Sequence, residues 1–332
     1  MKLPDKSIKI LFNRILGPLL FIWITWSIYK QIIRQPNLDE SFGYIKEAIN
    51  GKFAFQFLLI VVLMCCNWTV EARKWQVLMK PLQQISLWRS LKAVLTGLAF
   101  GLNTPNRVGE YGGRMMYVKE GLRISSVALT IIGSLSQLIV TLILGGAGLL
   151  IQHYRLAEIS VDIELMPLWL QITEGIVFVM AAVLLLFYFR LDWMVRGLKL
   201  LKLRNKWLQY FEVLKNIHVT ILLRVLSLSA CRYLLFVYAY ILLLEIMHVD
   251  IYAHDAFWLI SILYLILALV PTIALLEVGL RGKAAIMLFQ LSSTNVLGIY
   301  AASTGIWLIN LVVPALAGSA LVLGLKIFNT KR

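Results

Sequence analysis

Six predominantly apolar runs, residues 12–33, 54–70, 124–150, 168–189, 218–245 and 296–325, dominate the sequence. Each reaches the roughly 17–25 residues that a helix needs to cross the hydrocarbon core of a bilayer. No other feature restricts the fold as much. Within lipid every backbone N–H and C=O must be satisfied by the chain itself, which leaves helices or a closed barrel. The runs lack the alternation of roughly ten-residue barrel strands, so the expected class is an all-α polytopic membrane protein. Composition agrees: 60% of the 332 residues are hydrophobic and only 15% are charged, against about 25% in a soluble domain.

The charge that remains sets the topology. The loops 71–92 (Arg73, Lys74, Lys80, Arg89, Lys92) and 190–217 (Arg190, Arg196, Lys199, Lys202, Arg204, Lys206, Lys215) are strongly basic. Loop 151–167 has Arg155 against Glu158, Asp162 and Glu164, and loop 246–255 has Asp250 and Asp255 with no Lys or Arg. Basic loops stay in the cytoplasm, which puts the first two inside and the other two outside. Two shorter apolar segments, 91–104 and 256–270, then have to enter and return on the same side. The expectation is six full spans plus two re-entrant broken-helix hairpins, eight hydrophobic segments in all, with both termini cytoplasmic in an inner membrane. The basic start and apolar run of residues 1–30 resemble a signal peptide. They lack a small-x-small cleavage site and end in Trp26, Tyr29 and Lys30, interface residues that mark a retained first span. The net charge of +15 reads as topology and headgroup contact, not as nucleic-acid binding.

Span, span, hairpin, span occurs twice with opposite orientation. A single transmembrane domain, 1–332, therefore reads as two inverted halves, 12–150 and 168–325, joined by loop 151–167. Four matches fall in one order. LNTPNRVGEYGGR faces LVPTIALLEVGLR, aligning Pro105 with Pro271 and Glu110/Arg114 with Glu277/Arg281. LMCCNW (63–68) faces LSACRY (228–233), and Ala-Gly recurs at 147–148 and 317–318. Paired, interrupted apolar segments in inverted halves are the best sequence pointer to a transporter's binding site.

The candidate site residues follow. Glu110 and Arg114, like Glu277 and Arg281, have the favourable i,i+4 order for a helix ion pair. With Arg107 they suit a phosphate, and a half-helix starting at either motif would offer free N–H groups to an anion. The breaks are assigned to Pro105, Gly109, Pro271 and Gly279; Gly112, Gly113 and Gly279 are expected to permit close backbone approach. The plainer alternative is two ion pairs that lock the hairpins to the bundle. Arg232 lies mid-span, where a basic side chain costs about 2.5–3.5 kcal/mol, so it should face the interior with Glu110 or Glu277 as partner. Gln137 and Asn310 are expected to bond between helices. Glu71, Arg73 and Lys74 read as a solvated juxtamembrane cluster, and Cys65, Cys66 and Cys231 as small buried hydrophobes. The four histidines form no cluster and no P-loop, HExxH or GxSxG is present, so no metal, cofactor or soluble catalytic site is expected.

NWTVEARKWQVLM, GLNTPNRVGEYGGR, LVPTIALLEVGLRG and WLINLVVPALAGS resemble the lysylphosphatidylglycerol synthase transmembrane family, the flippase-like domain of the multiple peptide resistance factor. The resemblance runs from about residue 10 to 325, and Pro105 to Arg114 is its most specific piece. It implies a membrane protein concerned with phospholipids, whose best-known relatives move aminoacylated phosphatidylglycerol between leaflets. Arg107, Glu110 and Arg114, with Glu277 and Arg281 as counterparts, are the positions it marks. The sequence ends at Arg332, shortly past the last apolar run, so the soluble aminoacyl-transfer domain of the full factor is not expected and neither is synthesis of the lysyl lipid. The first expectation is a phospholipid transporter that takes anionic or aminoacylated headgroups in a polar cavity, a homo-oligomer being compatible with it. A non-transporting accessory subunit and a membrane-embedded enzyme acting on a lipid-linked substrate are the alternatives.

Overall fold

The computed structural model of the chain describes residues 51–104, 107–159, 168–200, 210–270, 274–290 and 292–323, with a few isolated positions between 19 and 43. Pro105, Pro271 and nearly all of the expected first span, 12–33, lie outside the described residues, as do the side chains of 274–278.

Helices build everything described: α1 (Ala54–Met79), α2 (Leu87–Gly101), α3 (Gly109–Met115), α4 (Arg123–Ile159), α5 (Leu168–Phe189), α6 (Leu191–Leu200), α7 (Val219–Ile246), α8 (Ala253–Leu269), α9 (Ala274–Phe289), α10 (Val296–Trp307) and α11 (Val313–Val322). A π-turn, Leu308–Val312, joins the last two into one rod. Among the described residues there is no strand, and five helical stretches are long and apolar enough to cross a membrane. Their outer faces carry large apolar groups, such as Phe55, Leu58, Ile176, Val179, Leu186 and Leu234, which suits contact with acyl chains and not with water.

The five expected spans within the described residues correspond to helices, with one substantive correction. The segment 71–92 is not a loop: α1 continues to Met79 and α2 begins at Leu87, leaving only 80–86 between them. Ser86 caps α2, its hydroxyl accepting the Arg89 N–H at 3.3 Å. The cysteines are also corrected. Cys65, Cys66 and Cys231 are free thiols on exposed helix faces, not core groups.

Among the described residues two large apolar cores form, with a small third cluster of Leu142, Val177, Ala181 and Leu265 between α4, α5 and α8. One gathers the second half of α1, α2, the start of α4 and the last rod around Trp75, Leu78 and Trp307. The other gathers α7, α8, α9 and α10 around Tyr240, Leu243 and Phe289. The packing partners are reciprocal: α8 lies along α4, α2 lies along α11, and α1 pairs with α7. Hydroxyls and amides bridge the helices, with Ser136 to Ser229 at 2.7 Å and Trp75 Nε1 donating to Thr130 at 3.1 Å. Asn295 fastens α10 to the end of α7: its Nδ2 donates to the Met247 and His248 carbonyls (3.1 and 3.0 Å) while its Oδ1 accepts the Gly298 N–H. At the far end of α4 the ties are fewer, Arg155 to Asp255 on α8 (2.6 Å) and His153 to Glu174 on α5 (2.9 Å).

Candidate functional site

On the described side of the elbow between α2 and α3, side chains tie the end of α2. Asn103 Nδ2 donates to the Ala99 carbonyl at 2.9 Å, and the Thr104 hydroxyl reaches back toward the Phe100 and Gly101 carbonyls (3.4 and 3.2 Å). The Phe100 and Gly101 carbonyls belong to the last turn of α2 and also accept the Asn103 and Thr104 backbone N–H groups at 3.2 and 3.1 Å. Thr104 Oγ1 also accepts the Gly109 N–H at 2.7 Å. The start of α3 therefore does not present that N–H to an anion, contrary to the half-helix expectation. Gly97 and Gly113 bring α2 and α3 into backbone contact, since a Cβ on Gly113 would strike Gly97 and the Thr96 carbonyl. Gly112 and Gly279 have open space around them, and Gly279 sits inside α9, away from its ends. Of the two assigned break glycines, close approach applies to Gly109 alone, where a Cβ would meet the Phe100 carbonyl.

Arg114 carries the elbow's charge into the bundle. Its Nη2 lies 3.2 Å from Glu110, the i,i+4 pair, and its Nη1 lies 2.9 Å from Glu71 on α1. Lys74 Nζ is 2.7 Å from the other Glu71 oxygen, and Arg232 Nη1 on α7 approaches that oxygen at 3.4 Å. Arg232 Nε donates to Asn67 at 3.1 Å, and its guanidinium lies over the rings of Trp68 and Phe236 at 5.1 and 5.2 Å. Glu71, Lys74 and Arg114 are only 3%, 2% and 6% exposed. Of the solvated cluster expected at 71–74, Glu71 and Lys74 thus belong to a buried hub, and among the described side chains the carboxylate that Arg232 meets is Glu71, not Glu110. Glu71 reads as solvated from sequence because three charged residues, Glu71, Arg73 and Lys74, after an apolar run look like a membrane exit. The signal was in the helical spacing: Trp68, Glu71, Trp75 and Leu78 recur on one face, and a face with two tryptophans points inward.

Beside this hub lies a cavity of about 430 Å³. The elbow contributes Thr104 and Arg107, the end of α8 contributes Leu267 to Val270, and α9 contributes Arg281. Gln137 and Thr141 from α4, Arg232 and Tyr233 from α7, and Asn310 from the π-turn complete its polar wall. Arg107 is held at φ 56°, a left-handed conformation costing a non-glycine residue roughly 1–2 kcal/mol. Gln137 and Asn310 do not bond between helices as expected. Gln137 Oε1 and Asn310 Nδ2 are buried without a hydrogen-bond partner, and both residues line the cavity. Arg107, Arg232 and Arg281 are therefore brought together here, while Glu110 and Arg114 stand behind them in the hub. Glu277 is on α9, its side chain outside the described residues.

Long apolar helices around a polar, arginine-lined interior define a multi-pass helical membrane protein. More narrowly, residues 15–318 match the family described as the lysylphosphatidylglycerol synthase TM region, and the chain belongs to that family. Comparison with curated proteins and with solved structures gave no match.

Proposed function

We propose that this protein moves phospholipid headgroups across the cytoplasmic membrane, each headgroup passing through the central cavity while its acyl chains stay in lipid. One observation carries the reading: three arginines from separate elements, Arg107, Arg232 and Arg281, line one cavity within a bundle whose outer surface is apolar. Buried basic groups in a membrane interior mark an ion or substrate path, and guanidinium is the side chain best matched to phosphate oxygens.

The architecture proposed for this task is six spans and two re-entrant hairpins in inverted halves. Length supports the hairpins. The 15 residues of α2 rise about 22 Å, short of the roughly 30 Å hydrocarbon core. Three contacts support the inversion. The recurring Ala-Gly pair is used alike in both halves: a Cβ on Gly148 would crowd the Trp258 carbonyl of α8, and one on Gly318 would strike the Leu95 carbonyl of α2. Asn67 and Arg232, at matching positions of the two halves, bond to each other, as a two-fold axis passing between them would allow. Loop charge favours cytoplasmic termini and an inner-membrane location.

The test uses proteoliposomes holding a tail-labelled fluorescent phospholipid whose outer-leaflet population is bleached by an impermeant reductant. The native protein should expose the inner pool, and Arg107→Gln with Arg281→Gln should slow that exposure about tenfold or more, as expected when charge-assisted bonds to phosphate are lost. Unchanged exposure in the double variant would remove the cavity from the pathway.

A further inference from the structure

Arg232 belongs to two places at once. Among the described residues it is the single side chain that both lines the cavity and meets the hub around Glu71. The hub holds it least firmly. Lys74 and Arg114 stand 2.7 and 2.9 Å from Glu71, whereas Arg232 Nη1 stands 3.4 Å away. It is also the most open of the three cations, its side chain 15% exposed against 3% for Lys74 and 7% for Arg114. Were it withdrawn, Glu71 and Glu110 would keep Lys74 and Arg114, two carboxylates with two cations. Its release therefore avoids the stranded charge that makes breaking a buried pair costly.

The surroundings suit a short exchange of partners more than a wide swing. A guanidinium carries five N–H donors in a fixed fork, and the described contacts engage those of Nε and Nη1. Nε donates to Asn67 at 3.1 Å, while the Trp68 and Phe236 ring centres lie 5.1 and 5.2 Å away. These neutral partners restrain the group without competing for its charge. Carboxylate and phosphate oxygens are alike as partners for the fork, both taking paired, charge-assisted bonds from it.

We propose that Arg232 couples the cavity to the hub: a phosphate-bearing anion in the cavity competes with Glu71 for its guanidinium, so that occupancy loosens the charged tie between α1 and α7. Emptying the cavity returns Arg232 to Glu71 and restores the tie. The coupling rests on the reading that headgroups enter the cavity, and it gives the bundle a way to sense one.

A double-mutant cycle on the full chain in detergent tests this, read by titration calorimetry with dihexanoyl phosphatidic acid and with tail-less glycerol 3-phosphate. Glu71→Gln removes the competitor and should tighten binding about tenfold, the effect of one hydrogen bond to a charged group. In an Arg232→Gln background the same change should leave affinity within about twofold, and so should Glu110→Gln, which removes an equal charge without touching Arg232. Should Glu71→Gln fail to fold, Glu71→Asp draws the carboxylate back by one methylene at constant charge and should tighten binding in the same Arg232-dependent way. Saturating phosphatidic acid should also change tryptophan emission in the native protein and change it less in Trp68→Phe, which lacks the indole beside Arg232. Equal tightening with and without Arg232, equal tightening by Glu110→Gln, or emission that ignores Trp68 overturns the coupling and leaves the cavity reading standing. Binding of neither ligand, or binding that Arg107→Gln with Arg281→Gln leaves unchanged, overturns both. Glycerol 3-phosphate that binds as tightly as the lipid and obeys the same cycle upholds the coupling and points to a soluble phosphate.

Discussion

Glu71 is the residue on which the interior balance turns. It contacts Lys74, Arg114 and Arg232, and only Glu110 shares the work of compensating them. Glu71→Gln leaves three cations to one carboxylate, a local excess of two. Lys74→Met leaves two cations to two carboxylates, which balances. Removing one member of a buried ion pair costs about 3–5 kcal/mol when it strands its partners, whereas an apolar replacement that strands nothing is close to neutral. Glu71→Gln should therefore lower the unfolding midpoint in detergent by several degrees, with Lys74→Met well above it; a reversed order would show that the hub is not governed by charge balance. Part of this hub was legible in the sequence. The Glu110–Arg114 pair followed from helical spacing, and the inward orientation of Arg232 followed from the cost of placing it in lipid. That Glu71 receives both was not legible, because α1, α3 and α7 meet only in the folded bundle.

Glycine decides how closely the elements approach. Gly148 seats α4 on α8 and Gly318 seats α11 on α2, in each case against a backbone carbonyl that cannot swing aside. Gly148→Ala and Gly318→Ala should each cost about 1–3 kcal/mol through overpacking. Gly279→Ala, in open space within α9, should cost nothing and can gain up to about 1 kcal/mol of helix propensity. Thermal unfolding of the three variants checks this, and equal losses at all three would mean that the helix contacts are not set by these glycines. Helix positions were well marked by apolar runs, α5 at 168–189 most closely. The extension of α1 past residue 70 was hidden, since hydropathy counts Glu71, Arg73 and Lys74 as exit signals while Trp75 and Leu78, fully buried, continue the same face. The outward cysteines were missed for a related reason: an apolar run shows that a residue lies in the membrane, not whether it faces protein or lipid.

For the whole molecule, pairing the halves by loop charge brought Arg107 and Arg281 to one region of the chain's plan. It did not show that Gln137 and Asn310 would stand unbonded beside them, since intramembrane amides ordinarily find partners on neighbouring helices. The same view exposes an asymmetry between the ends of the bundle. One end is fastened by the five-member hub around Glu71, whose members Glu71, Lys74 and Arg114 are buried. The other has the Arg155–Asp255 contact, whose Arg155 side chain is 42% exposed, the His153–Glu174 tie and the uncharged Asn295 bonds to the end of α7. Dissolved ions weaken attraction between exposed charges and leave buried ones nearly untouched. Raising ionic strength should speed amide hydrogen exchange at the start of α8 and leave the second half of α1 unchanged; equal acceleration at both would mean that the two fastenings share one environment. Salt is thus a one-sided reagent for this protein, able to loosen the charged tie at the rim where α4 and α8 meet while the opposite rim stays clamped.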